Sequence, residues 1–98
     1  MDLDRVVGFD WDAGNARKNE KHGVSQSEAE QAFFDARLLI APDPVHSANE
    51  ARHHALGTTI EGRRLHIAFT LRADGTLIRV ISARDMHRKE RLFYERED

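Results

Sequence analysis

Between residues 64 and 71 apolar and polar side chains alternate strictly: Leu65, Ile67, Phe69 and Leu71 against Arg64, His66, Ala68 and Thr70. Period two marks a strand with one apolar face, because successive side chains leave a pleated chain on opposite sides. Asp74-Gly75 follows as a hairpin signal, and residues 77–83 supply the returning strand. A one-faced hairpin must bury its apolar side against something, and the upstream sequence offers helices for it. Residues 13–22 are good helix formers with Gly23 placed as a stop. Ser25 and Glu28 form a capping box for the next helix, Val24 and Ala29 its hydrophobic staple, and Ala29, Ala32 and Phe33 its buried stripe. Leu38-Leu39-Ile40-Ala41 is strand-like and stops at Pro42, and residues 52–60 form another strand, turned by Glu61-Gly62. Val6-Val7-Gly8-Phe9 is a short apolar lead-in with strand character. Asp85 is placed to cap a last helix over about 86–95, bearing Met86, Leu92, Phe93 and Tyr94. The expectation is a single α+β domain over residues 1–98: two N-terminal helices, an antiparallel sheet of about four strands, and a C-terminal helix.

The returning strand carries the feature that composition alone does not explain. Ile78-Arg79-Val80-Ile81-Ser82-Ala83-Arg84 is apolar enough to be covered on both faces, yet holds an arginine in its middle and another at its end. Such a guanidinium has an acidic partner, for which Asp35, Glu50 and Glu90 are the candidates for Arg79, or it lines a groove for an anion. Arg84 has the simpler alternative of a surface ion pair with Asp85 or Glu90. By parity the two arginines fall on opposite faces of an ideal strand, so they share a cleft only if the strand bends. The charge distribution favours the anion. Residues 1–50 hold five basic and ten acidic side chains, residues 51–91 nine and four, and residues 92–98 one and three, inside a net charge of −2. A basic block in a near-neutral chain is what a local polyanion site needs.

Breaking a phosphodiester without a metal needs a base for the attacking hydroxyl, cations for the crowded phosphorane and an acid for the leaving oxygen. Arg79 and Arg84 suit the cationic role, since a planar fork binds two phosphate oxygens and stays charged. Lys21 and His22, in a tight turn between two helices, suit proton transfer or a clamp; the plainer reading is that His22 closes the helix. Arg52, Arg63 and Arg64 are candidates to grip the backbone, against ordinary surface solvation or, for Arg52, an ion pair with Glu50. Tyr94 could stack a base, and Trp11 is assigned to the core. The loop 42–51, with Pro42-Asp43-Pro44 and His46-Ser47, is placed to cover or border the site. No metal is expected: His53 and His54 are neighbours on a strand and point apart, and His46, His66 and His87 show no ligand spacing. No cofactor is expected either.

These segments also carry a resemblance. Phe9-Asp10-Trp11-Asp12, Asn19 and Lys21-His22-Gly23-Val24-Ser25 come first. Arg52 with Ala55-Leu56-Gly57, Gly62-Arg63 with Leu65, Arg79-Val80-Ile81-Ser82-Ala83-Arg84, and Glu90-Arg91 with Tyr94 then follow in order. Over roughly residues 8 to 94 the chain resembles the BrnT toxins. The resemblance implies a RelE-like ribonuclease fold and the toxin of a bacterial type II toxin–antitoxin pair. It also implies a cognate small BrnA-like antitoxin that binds operator DNA, so that the toxin meets DNA only through its partner. A homodimer is compatible with this. The alternative is a noncatalytic RNA- or protein-binding module on the same fold. Absence of cysteine excludes disulfides and thiol catalysis, no apolar stretch reaches membrane-span length, and the Met1-Asp2-Leu3-Asp4 start does not resemble a signal peptide. A cytoplasmic protein is expected.

Overall fold

The alternation at 64–71 produces what it predicts, a long strand whose apolar residues sit wholly on one side. The computed structural model describes residues 3–96. Met1, Asp2, Glu97 and Asp98, which hold part of the acidic start and tail, lie outside them. In chain order the elements are β1 (Gly8–Phe9), α1 (Ala13–Glu20), α2 (Gln26–Ala32), β2 (Leu39–Pro42), a 3-10 turn (Pro44–His46), β3 (Arg52–Thr58), β4 (Arg64–Arg72), β5 (Leu77–Asp85) and α3 (Arg88–Arg96). The sheet has five strands in the order β1-β5-β4-β3-β2. Strands β2 to β5 form the expected antiparallel meander. The difference is β1, which pairs parallel to β5 through Gly8 with Leu77 and Phe9 with Ile78, so the sheet is mixed. The strand character of residues 6–9 is present, and what two paired residues carry too little pattern to announce is the parallel direction.

One face of the sheet carries the core. Ala55, Leu65, Ile67, Phe69, Ile78, Val80 and Ala83 lie there and pack with Val24, Ala29, Ala32 and Phe33. Phe33 meets Phe69 edge-on, ring centroids 5.1 Å apart. The helix-to-sheet approach is close at Gly57, where a Cβ would stand 2.4 Å from the Ala32 carbonyl oxygen, so glycine is required. The Ser25–Glu28 capping box forms as the sequence indicates, with Val24 buried before it. Gly23 closes the turn between α1 and α2 at φ +68°. Helix α1 stops at Glu20 and lies against β5, contributing the Asn15 amide to the Val80 carbonyl at 2.9 Å. That covers the part of the β5 edge which two-residue β1 leaves unpaired.

Asp85 does not cap α3. It ends β5, and the helix begins at Arg88 with the Glu90 carboxylate accepting the His87 amide at 2.8 Å. Strand β5 outcompetes the cap because Asp85 faces Arg63, which holds it by two hydrogen bonds of 2.7 and 3.2 Å. Among the described residues no helix is long and apolar enough to cross a membrane.

Candidate functional site

The register of the β4–β5 ladder decides which side chains share the outer face of the sheet. Thr70 pairs with Arg79, Phe69 with Val80, then Ala68 with Ser82 and His66 with Arg84. Ile81 is the extra residue of a bulge, and one extra residue reverses the parity of everything beyond it. Arg79, Ser82 and Arg84 therefore stand on one face, which no regular strand would allow. Arg52, His54 and Leu56 of β3 lie on the same face through their pairing with Thr70, Ala68 and His66. The arginines do not converge. Four β4 residues separate their partners, which is roughly 13 Å along the strand.

At the Arg79 end the sequence Phe9-Asp10-Trp11-Asp12 folds into a clamp. Asp12 is the N-cap of α1, with a reciprocal capping box to Asn15. Its carboxylate also takes Arg79 at 3.1 Å, while Asp10 lies 3.5 Å away on the other flank. These two, and not Asp35, Glu50 or Glu90, are the acidic partners of Arg79. The hydrogen bond to Asp12 raises the Arg79 pKa and lowers that of Asp12, so both stay charged. Beside the clamp opens a cleft of about 300 Å³ between α1, β3, β4 and β5. Lys18, Arg52, Arg72 and Arg79 line it with a single acid, Glu50, which is held by Arg72 at 3.1 Å. Among the described residues the Arg52 guanidinium has no ion pair. Counting Asp10 and Asp12 on Arg79, four cations face three acids, and the remaining positive charge sits in the concave site where an anion can meet it.

The Arg84 end is closed. Both terminal nitrogens of Arg84 bind Glu90, at 2.8 and 3.0 Å, under α3. Burial raises the Glu90 pKa, but the Arg84 and His87 hydrogen bonds outweigh it and bring the carboxyl to about 2. His66 lies 3.8 Å from Glu90 and is pushed down to about 4 by burial and by the Arg84 charge. Its Nε2 is 2.6 Å from His54 Nδ1, and His54 Nε2 is 2.7 Å from Asp43. Asp43, His54 and His66 are thus linked in one hydrogen-bonded chain that reaches toward Glu90. Leu39, Leu56 and Phe93 roof this polar chain in a mostly apolar groove of about 440 Å³.

The remaining expected residues divide by location. Lys21 and His22 are exposed in the turn after α1, one helical turn past Lys18, and do not line the cleft. Arg63 is a tie rod: it binds Asp85, Glu28 and the Gly23 carbonyl, fixing that turn to the β3–β4 hairpin. Arg64 pairs with Glu95 on the surface. Tyr94, expected as a base-stacking ring, is 2 % exposed, with its hydroxyl on Asp35 and Thr58 and Arg37 over its face at 5.0 Å. No nucleobase reaches a ring packed in this way. Trp11 packs on the core and donates to Glu30 at 2.8 Å. His53 turns inward against Phe69, opposite His54. Sequence reasoning missed Lys18 and Arg72 as cleft residues, and the chain from Asp43 to Glu90. The alternation of Arg52, His54 and Leu56 was a usable signal for the second, since it puts all three on one face.

A search among curated proteins found no match. Residues 11–90 match the family described as ribonuclease toxin, BrnT, of type II toxin–antitoxin system. The match begins at Trp11, inside the clamp, and ends at Glu90, the partner of Arg84. A type II system pairs its toxin with an antitoxin, so membership implies such a partner. The chain belongs to the BrnT family of ribonuclease toxins.

Proposed function

We propose that the protein is a metal-independent endoribonuclease toxin, cutting RNA by attack of a ribose 2′-hydroxyl on the adjacent phosphorus. The cationic cleft carries this reading. Lys18, Arg52, Arg72 and Arg79 surround about 300 Å³ of open space; Glu50 holds Arg72 and the half-exposed Asp10 and Asp12 hold Arg79, which leaves Lys18 and Arg52, among the described residues, as its unopposed cations. The charge that builds on a phosphorane is what such a group of fixed cations stabilises. Arg79 is the transition-state cation: its position is over-determined by Asp10 and Asp12, whose exposed carboxylates can exchange with a phosphate. Arg52, with no carboxylate of its own, grips the backbone. Lys21 and His22 stand one turn beyond Lys18, outside the cleft, and Arg84 is committed to Glu90, so the motif's other cations serve the fold or the rim and not the reacting phosphate. A small DNA-binding antitoxin neutralises the toxin by laying acidic side chains into the cleft, where potential complementarity sets encounter rate and specificity.

The test is purified protein on RNA with chelator present. Cleavage giving 2′,3′-cyclic phosphate ends, surviving chelation and lost in Arg79→Ala, is expected. Tight RNA binding without product would favour the noncatalytic module, and chelator-sensitive cleavage would remove metal independence.

A further inference from the structure

A 2′-hydroxyl attack needs a proton acceptor at the cleft, and neither Lys21 nor His22 lines it. The loop 43–51 brings another imidazole to the adjoining crevice, across Glu50 and Arg52 from the cleft. Asp43 caps the 3-10 turn, its carboxylate taking the His46 amide at 3.4 Å and His46 Nδ1 at 2.9 Å. The His46 side chain is nevertheless 63 % exposed, so its ring is fixed at one nitrogen and open at the other. His46 lines a crevice of about 360 Å³ together with Glu50 and Arg52, and those same two residues line the cationic cleft. The two hollows are therefore neighbours sharing a wall. The loop is bolted to that wall: the Asp43 amide donates to the Arg52 carbonyl at 2.9 Å, Ser47 Oγ to the Asp43 carbonyl at 2.6 Å, and the Arg52 amide to Ser47 Oγ at 3.0 Å.

We infer that His46 is the proton acceptor for RNA held in the cationic cleft, with Asp43 as its positioning residue. The inference rests on the ribonuclease reading and adds to it the missing base. An acid on one ring nitrogen fixes the tautomer and leaves the other nitrogen's lone pair toward the substrate, the arrangement that makes a histidine a general base. Nε2 takes the proton of the 2′-hydroxyl as the O2′–P bond forms. The P–O5′ bond breaks, the departing 5′ oxygen takes a proton from water, and the imidazolium returns its proton to water. The products are a 2′,3′-cyclic phosphate and a 5′-hydroxyl, with no change of oxidation state. Asp43 remains a carboxylate throughout, held well below the usual range at about 2 by His54 and His46. It thereby stabilises the imidazolium as it forms. A purely structural His46 would only close the 3-10 turn, a task the amide of the same residue already performs.

The experiment compares wild type, His46→Ala, Asp43→Asn and Arg79→Ala on a defined RNA oligonucleotide in chelator, scoring cyclic-phosphate product against pH. His46→Ala is expected to lose about 10²–10³-fold in kcat, with KM little changed and an unaltered melting temperature. The acid limb of the wild-type pH profile disappears with it, and added imidazole restores part of the rate. Asp43→Asn retains a limb but displaces it. The charged groups around His46 that set this limb are Asp43, Glu50, Arg52 and, through Asp43, His54. A His46→Ala protein as active as wild type, or slow but with its acid limb intact and no imidazole rescue, overturns the assignment and leaves the ribonuclease reading standing. A wild-type protein that binds RNA and cuts none overturns both.

Discussion

Arg79 and Arg84 stand on the same face of the same strand, and the surroundings give them opposite careers. Arg84 is held by an acid that is itself 25 % exposed and hydrogen-bonded to the His87 amide, so the pair is a finished structural unit. The acids on Arg79 are less covered: Asp12 is 59 % and Asp10 32 % exposed. Water and salt screen such partners, and an arriving phosphate competes with them on good terms. One arginine is committed to the protein and the other is held ready for a ligand. The difference lies in what covers the nearer carboxylate, which is α3 over Glu90 at one end and largely solvent over Asp12 at the other.

The largest effect separating the two ends is on rate. Arg79→Ala is expected to slow RNA cleavage by about 10²–10³-fold, the usual cost of removing one fixed donor from a developing oxyanion. Its melting temperature stays close to wild type, because its acidic partners are solvated when left alone. Arg84→Ala is expected to do the reverse. It strands Glu90 under α3, and after discounting for the pair's partial exposure the loss of stability is about 1–3 kcal/mol, measured by denaturant unfolding. Cleavage by the folded fraction should stay within about tenfold of wild type, since the site's other cations are untouched. Two variants that lose rate alike with unchanged stability would erase the contrast.

Acid should unfold the Arg84 end in two stages. His66 titrates in the fold near 4, below its ordinary 6.5, so the native state excludes a proton that the unfolded chain accepts. The stability this lends is complete above pH about 6.5 and is lost as the pH falls to about 4. Glu90, at about 2 against an ordinary 4.5, then loses its contribution as the pH falls from about 4.5 toward 2. Melting temperature followed against pH checks this. In His66→Gln the first stage should flatten while the second remains; a profile identical to wild type would show that the buried imidazole does not set acid stability.

How much of this was legible beforehand depends on the range over which each decision is made. The capping box at Ser25, the alternation of β4 and the stop at Gly23 are settled within a few residues, and all three are present in the fold. The core followed from them. The bulge at Ile81 was not legible, because it is a property of how two strands pair, and without it Arg79 and Arg84 fall on opposite faces. Partners escape the sequence for a similar reason: Asp10 and Asp12 are 69 and 67 positions from Arg79 and are brought to it by the parallel pairing of β1, which so short a strand does not announce. Tyr94 was mistaken for a platform because an aromatic on a charged helix has no sequence mark of the Asp35 and Thr58 that claim its hydroxyl. The cleft is legible only as an excess of basic residues after position 51, a statement about charge with no address.

The smallest expected effect gives the finest test of where the cleft ends. Lys18 and Lys21 lie on consecutive turns of one segment, both carry a single charge, and only Lys18 lines the hollow. If RNA sits where the cations are, Lys18 neutralises a phosphate and Lys21 faces bulk solvent. Affinity for a noncleavable RNA, titrated over a range of salt concentrations, separates the two. Losing one phosphate contact on a single strand lowers the slope of log affinity against log salt by about 0.7. Lys18→Ala should show that decrement together with weaker binding at every salt concentration. Lys21→Ala should show a slope indistinguishable from wild type. Equal decrements would extend the RNA track along α1 to the turn containing His22, and would return that histidine to contention as a proton carrier against His46. A decrement for Lys21 alone would place the RNA outside the cleft altogether.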